Sequence, residues 1–131
     1  EELLFREEFE RLGETILATE DGSAGVRGTV VDALRQVALW RDLEGAAFYN
    51  SGPEPMMAAA VAFERRLTMQ DRIVVCVERY TSCGVGLCGK CALDGYRTCV
   101  DGPCFRLSSL PEGTAFGRYR RGPSGLREPV R

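Results

Sequence analysis

The spacing of the cysteines constrains this sequence more than any other feature. Cys83, Cys88 and Cys91 follow the pattern C-x4-C-x2-C, and glycines stand between them. Loops with this spacing wrap a [2Fe–2S] cluster, which needs four thiolates, two for each iron. The glycines permit the unusual backbone angles and the close approach that such a loop requires. We therefore predict that these cysteines are three ligands of a [2Fe–2S] cluster and that a more distant cysteine is the fourth.

Two cysteines, Cys99 and Cys104, are candidates for the fourth ligand. The dipeptide Asp94-Gly95 is a strong signal for a two-residue hairpin turn. Such a hairpin brings Cys99 to about one strand spacing from Cys91, roughly 5 Å. Cys104 lies five residues further along the chain, beyond a second turn. The geometry therefore favours Cys99 and keeps Cys104 in reserve.

A structural zinc site is the main alternative interpretation of these cysteines. Zinc ribbons usually present two C-x2-C knuckles, whereas this chain has one, preceded by a cysteine five positions earlier. The sequence contains no histidine, which excludes imidazole ligands. A disulfide framework is disfavoured, because the first 75 residues contain no cysteine and look able to fold on a conventional core. Cys76 lies within a predicted strand and is most simply a small buried hydrophobic residue.

Helix and strand patterns alternate over about the first 78 residues. They predict helices over 1–12, 30–38 and 56–67, and strands over 14–19, 46–49 and 73–77. This alternation indicates an α/β fold with a mostly parallel sheet. Ligands of such sheets bind beyond the carboxyl ends of the strands, where helix N-termini offer N–H donors to an anion.

Two glycine-bearing loops, 20–28 and 50–55, follow predicted strands and precede predicted helices. We expect both at the ligand-binding edge of the sheet, with these candidate cofactor-binding residues: Gly22, Ser23, Gly25, Gly52 and Pro53. Taken alone, the first loop is better explained as a turn that needs glycine, because it lacks the spaced G-x-G-x-x-G fingerprint. Taken alone, Gly52-Pro53 is mostly a helix-start signal.

Charge and hydropathy exclude further classes of function. A formal net charge of −2 and a pI near 5.3 argue against a nucleic-acid partner. No apolar stretch approaches the roughly 20 residues of a membrane-spanning helix, so we expect no membrane partner. The first residue is Glu rather than Met, which leads us to expect a processed or partial chain. The segment 111–131, rich in Pro, Gly and Arg, is expected to be a weakly structured tail.

Four motifs together resemble the C-terminal part of the dihydroorotate dehydrogenase electron-transfer subunit, which belongs to the ferredoxin-reductase-like family. They are the cysteine loop 83–91, the run Cys99-Val-Asp-Gly-Pro-Cys-Phe105, the loop 19–28, and Ser51-Gly-Pro-Glu-Pro-Met56. The resemblance covers about residues 1–106. In that family the fourth ligand is the cysteine that precedes x-Asp-Gly-Pro-x-Phe, which is Cys99 here.

The chain also departs from the family pattern. Position 104 is usually aliphatic in the family, so the resemblance implies that Cys104 is not a ligand. Ser51 stands where the family commonly has cysteine, which excludes a thiol role at that position. The flavin-binding barrel and the glycine-rich pyrophosphate loop are absent. The resemblance therefore implies FAD and NAD as cofactors whose sites are incomplete in this chain.

The resemblance implies three regions and a partner. The expected regions are the second half of a ferredoxin-reductase-type nucleotide-binding domain (1–78, a parallel sheet with helices), a small [2Fe–2S] module (79–106) and a C-terminal tail (107–131). The implied partner is the catalytic, FMN-containing dihydroorotate dehydrogenase subunit, in a cytoplasmic heterotetramer.

The implied function is an electron relay in pyrimidine biosynthesis. The cluster would pass single electrons between the FMN of the catalytic subunit and FAD, from which they leave as hydride to NAD. We therefore expect no catalytic residue in this chain. Gamma-type subunits of sulfhydrogenases share the cluster motif, so a subunit of another flavin and iron–sulfur reductase is one alternative. A zinc-stabilised interaction module is the other.

Overall fold

A computed structural model describes residues 4–111 and 113–130. The chain divides into two compact units, residues 1–42 and 43–131, which are described separately below. Both combine helices with short strands, so the predicted mixed α/β class is confirmed. No helix among the described residues has the length and apolar character needed to cross a membrane. The three regions expected from the sequence stay a prediction.

The first unit contains two helices and one pair of short parallel strands. Its elements are α1 (Arg6–Leu12), β1 (Ala18–Thr19), β2 (Val26–Arg27) and α2 (Val30–Trp40). α1 ends at Leu12, the last residue of the predicted helix, and Gly13 caps it; the predicted residues 1–3 of that helix lie outside the described residues. The side chains of Phe9 and Leu12 on α1 are exposed. Thr29 and Asp32 form a capping box that starts α2.

The strand predicted over 14–19 is wrong in length, because only β1 forms there. The loop predicted over 20–28 instead contains β2, which pairs with β1 in parallel. Gly25 makes this tight return possible, since its φ is +70° and a Cβ would lie 2.2 Å from the carbonyl oxygen of Leu17. The N–H of Val26 donates to the same Leu17 oxygen at 2.8 Å.

The second unit is built on a three-stranded sheet of order β3-β4-β7. Its strands are β3 (Phe48–Ser51), β4 (Ile73–Cys76) and β7 (Cys104–Arg106), and helix α3 (Glu54–Glu64) connects the first two. β3 and β4 are parallel, as the alternating pattern predicts. β7 is antiparallel to β4, so the prediction of a mostly parallel sheet holds for one strand pair of this sheet only.

The core of the second unit lies on one face of this sheet. Ile73, Val75 and Val77 alternate along β4 and its extension and are fully buried. They join Met57 and Val61 from α3 in one hydrophobic cluster, which also contains Leu93, Phe105, Leu107, Leu110 and Phe116. Burial of alternate residues fixes the strand register, because a slip by one residue would expose every one of them.

A short hairpin follows between β4 and β7. It consists of β5 (Ala92–Leu93) and β6 (Tyr96–Arg97), and it leads into α4 (Thr98–Asp101). The predicted turn is confirmed: Asp94 and Gly95 both have positive φ, 43° and 97°, as a type I′ turn requires. Around this turn Leu93 pairs with Tyr96 and Ala92 with Arg97.

Residues 113–130 are structured, which corrects the expectation of a weakly structured tail. They contain an antiparallel hairpin of β8 (Tyr119–Arg121) and β9 (Arg127–Pro129). A buried ion pair between Glu54 and Arg79 anchors the residues that precede β8. Arg79 and Glu54 are paired through both carboxylate oxygens, and Glu54 Oε1 also accepts the N–H of Gly117 at 2.6 Å. The carboxylate therefore joins the start of α3, the chain after β4 and the C-terminal segment.

We predict that Glu54→Leu lowers the free energy of unfolding by about 3 kcal/mol or more, because it leaves the buried guanidinium of Arg79 unpaired. The double variant Glu54→Leu/Arg79→Met should lose clearly less than the sum of the two single variants, since it buries no lone charge. Urea unfolding of the four proteins measures the coupling. Additive losses would contradict the role given to this pair.

Candidate iron–sulfur site

The loop that carries three of the four candidate ligands lies between β4 and β5. Its glycines Gly84, Gly86 and Gly89 have φ values of 70°, 77° and 68°, a region that other residues rarely adopt. Gly86 is also crowded: a Cβ there would lie 3.1 Å from Arg97 Nη1 and from Val100 Cγ2. The loop therefore packs closely against the end of the hairpin and the residues that follow it.

Backbone N–H groups surround the sulfur of Cys83. The N–H groups of Leu87 and Cys88 lie 3.3 and 3.4 Å from its Sγ. Hydrogen bonds from the N–H groups of Cys88, Val85 and Leu87, together with the Cys88 side chain, lower the pKa of Cys83 to about 6. These donors favour the charged thiolate, which is the form that binds a metal.

The hairpin brings Cys91 and Cys99 together. The N–H of Thr98 donates to the Cys91 carbonyl at 3.1 Å, which continues the β5–β6 pairing by one position. The Sγ atoms of Cys91 and Cys99 are 3.3 Å apart. The hydrogen bond between these two thiols is the largest cause that raises the pKa of Cys99, and burial also raises it. The backbone N–H of Gly86 acts in the opposite direction and lowers this pKa. The predicted proximity of Cys99 to Cys91 is confirmed.

A guanidinium group stands beside this thiol pair. Arg97 donates from its backbone N–H to Asp101 Oδ2 at 2.7 Å and pairs with the same carboxylate through its side chain. The bond to Asp101 raises the pKa of Arg97, and the charges of Cys99 and Cys91 act in the same direction. This ion pair was not predicted, although a spacing of four between an arginine and an aspartate in the sequence is a usable signal.

Among the four candidate ligands, the Sγ atoms of Cys91 and Cys99 lie 3.3 Å apart, and the backbone N–H of Cys88 lies 3.4 Å from Cys83 Sγ. Across residues 4–111 and 113–130, no group of three or more Cys, Asp or Glu side chains is already arranged to hold a single metal ion. The donor set is nevertheless suited to an iron–sulfur cluster, since it offers four thiols, N–H donors to sulfur and an adjacent cation. Their assignment as ligands stays a prediction.

The other two cysteines form a disulfide, Cys76 with Cys104. The interpretation of Cys76 as a small buried hydrophobic residue is therefore wrong, and the chain contains one disulfide although a disulfide framework was disfavoured. The cause is long-range: β4 and β7 pair antiparallel with Cys76 directly opposite Cys104, which the spacing along the chain does not reveal. In this structure neither residue is a free thiol, and the free cysteines are the four candidate ligands.

Three of the five candidate cofactor-binding residues lie in the first unit. Gly22 donates its N–H to the Thr19 carbonyl at 3.1 Å, and Ser23 donates its N–H to Asp21 Oδ1 at 2.9 Å. The third, Gly25, makes the close approach to Leu17 described above. In this structure the N–H groups of Gly22 and Ser23 stabilise the loop itself, so their role toward a cofactor stays a prediction.

The remaining two candidates lie in the second unit, between β3 and α3. Gly52 has a φ of +137°, a backbone conformation that other residues rarely adopt, so glycine is favoured at this position. Pro53 precedes α3, and its carbonyl accepts the N–H of Met57 at 3.0 Å. The two residues therefore lie at the carboxyl end of β3, at the edge where the sequence places a ligand. Their cofactor role also stays a prediction.

We predict that, in cluster-free protein, alkylation of Cys83 by iodoacetamide rises with a midpoint near pH 6, because the thiolate is the reacting form and its pKa is about 6. The rate of alkylation at Cys99 should rise only at pH values above the usual pKa range of a thiol, because the pKa of Cys99 is raised. Mass spectrometry of peptides at each pH measures both. Equal midpoints at Cys83 and Cys99 would contradict the N–H donation to Cys83.

Comparison with known proteins gives independent findings. Residues 78–110 match the family described as the iron–sulfur cluster binding domain of dihydroorotate dehydrogenase B. The structure is similar to a solved structure of an NADH-dependent reduced ferredoxin-NADP oxidoreductase, which was studied for flavin-based electron bifurcation. The similarity covers 78% of this chain and 37% of the chain of that oxidoreductase. The TM-score is 0.64 and the identity is 29%.

Curated relatives carry the name probable dihydroorotate dehydrogenase B (NAD(+)), electron transfer subunit. The protein from Methanothermobacter thermautotrophicus is 39% identical over 98% of this chain and 47% of its own length. The protein from Pyrococcus abyssi is 37% identical over 90% of this chain and 44% of its own. The chain therefore spans about half the length of the relatives it matches, and over that span it is related to the electron transfer subunits of dihydroorotate dehydrogenase B.

Proposed function

We propose that Cys83, Cys88, Cys91 and Cys99 hold a [2Fe–2S] cluster through which single electrons pass. The observation that carries this proposal is the set of four free thiols, with Cys91 and Cys99 in contact, inside the segment that matches an iron–sulfur cluster binding domain. Two thiols for each iron is the requirement of such a cluster. The 3.3 Å approach of Cys91 to Cys99, which β5 and β6 impose, supports Cys99 as the fourth ligand.

The chain's own groups are suited to stabilising the negative charge of four thiolates. The N–H groups of Leu87 and Cys88 point at the sulfur of Cys83. The guanidinium of Arg97 adds a positive charge beside Cys91 and Cys99. Hydrogen bonds and charges of this kind raise the affinity for electrons at a cluster, since reduction adds negative charge. When bound, the cluster would accept and donate one electron at a time.

The surface of the loop supports electron exchange with a partner. Cys88 is exposed, and the neighbouring Val85 and Leu87 are 65% and 85% exposed. Exposed apolar side chains around a ligand loop are suited to a protein contact that excludes water. We propose that residues 84–90 form part of the face presented to a catalytic subunit that contains FMN, in a heterotetramer of the kind the family resemblance implies.

The proposal extends to the cofactors of the whole complex. Electrons from dihydroorotate oxidation would reach the cluster from FMN and pass to FAD, from which NAD takes them as hydride. A one-electron carrier is useful here, because it connects two flavins that do not react directly. Gly52 and Pro53 would lie on the nicotinamide side, while Gly22, Ser23 and Gly25 would belong to the nucleotide-binding half. The similarity to a flavin-linked reductase at 29% identity supports this assignment.

We predict that Cys99→Ser loses about half or more of the iron bound by the unchanged protein after anaerobic loading, because an alkoxide is a poor substitute for a thiolate. The matched control is Cys104→Ser, five positions away, which should load the same amount of iron as the unchanged protein. Iron and acid-labile sulfide per chain measure both. Loss of iron from Cys104→Ser but not from Cys99→Ser would overturn the ligand assignment.

A further inference from the structure

The disulfide between Cys76 and Cys104 occupies a special place relative to the proposed cluster. The two residues are 28 positions apart, and the segment between them contains all four free cysteines. Their Cα atoms are 3.9 Å apart, and the N–H of Val77 donates to the Pro103 carbonyl at 2.9 Å immediately inside the bond. The disulfide therefore closes the base of the segment 77–103, which we call the cluster segment.

The bond lies where thiol chemistry can reach it. β4 and its extension turn Ile73, Val75 and Val77 to the buried face, so Cys76 lies on the opposite face and is only half-buried, while Cys104 is exposed. In the parallel register of β3 and β4, the neighbour of Cys76 is Ser51, which has no sulfur. Within the sheet, the two cysteines therefore have only each other as exchange partners.

Val77, which follows Cys76, and Pro103, which precedes Cys104, lie beside one of the proposed cluster ligands. Val77 and Pro103 line an open hollow together with Gly84 and Cys99. The base of the cluster segment therefore lies close to a ligand candidate, Cys99. Cys104 is five residues from Cys99 in sequence, so as a free thiol it would be the nearest competitor for iron along the chain.

We propose that Cys76 and Cys104 form a reversible thiol–disulfide site whose closed form withholds both sulfurs from iron and slows the loss of the cluster. The inference rests on the iron–sulfur centre proposed above. Closure restricts the conformations open to the cluster-free segment, and a smaller ordering cost favours the metal-bound form.

The reaction at this site balances without any group from the cluster. Closing the bond removes two electrons and two protons from the Cys76 and Cys104 thiols, and a small-molecule or protein disulfide accepts them and becomes two thiols. The reverse reaction begins when a dithiol attacks the exposed Cys104 sulfur. A mixed disulfide forms, Cys76 leaves as a thiolate, and the second thiol of the reductant releases Cys104.

The first test identifies the bond in both cluster-free and cluster-loaded protein, purified without reductant. Free thiols are blocked with N-ethylmaleimide under denaturing conditions, and the peptides are mapped by mass spectrometry. We expect a linked peptide pair containing Cys76 and Cys104, and two further modified cysteines when the phosphine reductant TCEP precedes the block. Complete modification of Cys76 and Cys104 without TCEP in both forms would overturn the proposal.

The second test measures cluster loss to excess EDTA from the decay of the visible absorption. We expect loss to be roughly fivefold or more faster after TCEP treatment of the unchanged protein. The control is Cys76→Ser/Cys104→Ser, which should lose its cluster at the faster rate and show no response to TCEP. Equal rates before and after TCEP in the unchanged protein would overturn the proposal without the need for any variant.

The single variant Cys76→Ser separates the two effects, because it opens the bond and leaves a free thiol at Cys104. A change in the EPR spectrum of the reduced cluster relative to the double variant would support competition by Cys104, and identical spectra would overturn the withholding part. The two proposals also fail differently. A chain with the bond but without iron would refute the iron–sulfur centre, whereas a loaded cluster lost at equal rates refutes only this inference.

Discussion

The antiparallel pairing of β4 with β7 is the constraint on which the rest of the structure depends. β4 carries Ile73 and Val75 into the core, and β7 brings Phe105 to the same cluster. The pairing returns the chain to its starting point after 28 residues, with Cys76 opposite Cys104. The segment that carries the four free thiols therefore leaves and re-enters one rigid sheet.

Within that segment, local geometry arranges the sulfurs. The type I′ turn at Asp94-Gly95 sets the register that brings Cys91 beside Cys99. Positive φ angles at the loop glycines direct N–H groups at Cys83. Arg97 is the last residue of the same hairpin, and an ion pair with Asp101 positions its side chain. Fixed dipoles and the guanidinium of Arg97 thus stabilise thiolate charge at this site, an arrangement suited to electron transfer with little rearrangement.

Features with short-range causes could be predicted from the sequence, and features with long-range causes could not. The hairpin, the helix end at Gly13 and the closeness of Cys99 to Cys91 follow from a few adjacent residues. The Cys76–Cys104 bond and the antiparallel β7 depend on pairing across 28 positions, which no local pattern encodes. The C-terminal hairpin was missed because Pro, Gly and Arg suggested disorder, while Glu54 anchors the segment at Gly117 from 63 residues away.

The iron–sulfur centre is best tested by metal analysis of anaerobically purified protein, combined with EPR after reduction by dithionite. The four thiols predict about two irons and two acid-labile sulfides per chain and a rhombic signal from a spin of one half, as expected for a reduced [2Fe–2S] cluster. Zinc at one equivalent, without iron and without a reducible centre, would contradict the electron-transfer role. It would leave the fold described here intact, with the same thiols serving as a structural site.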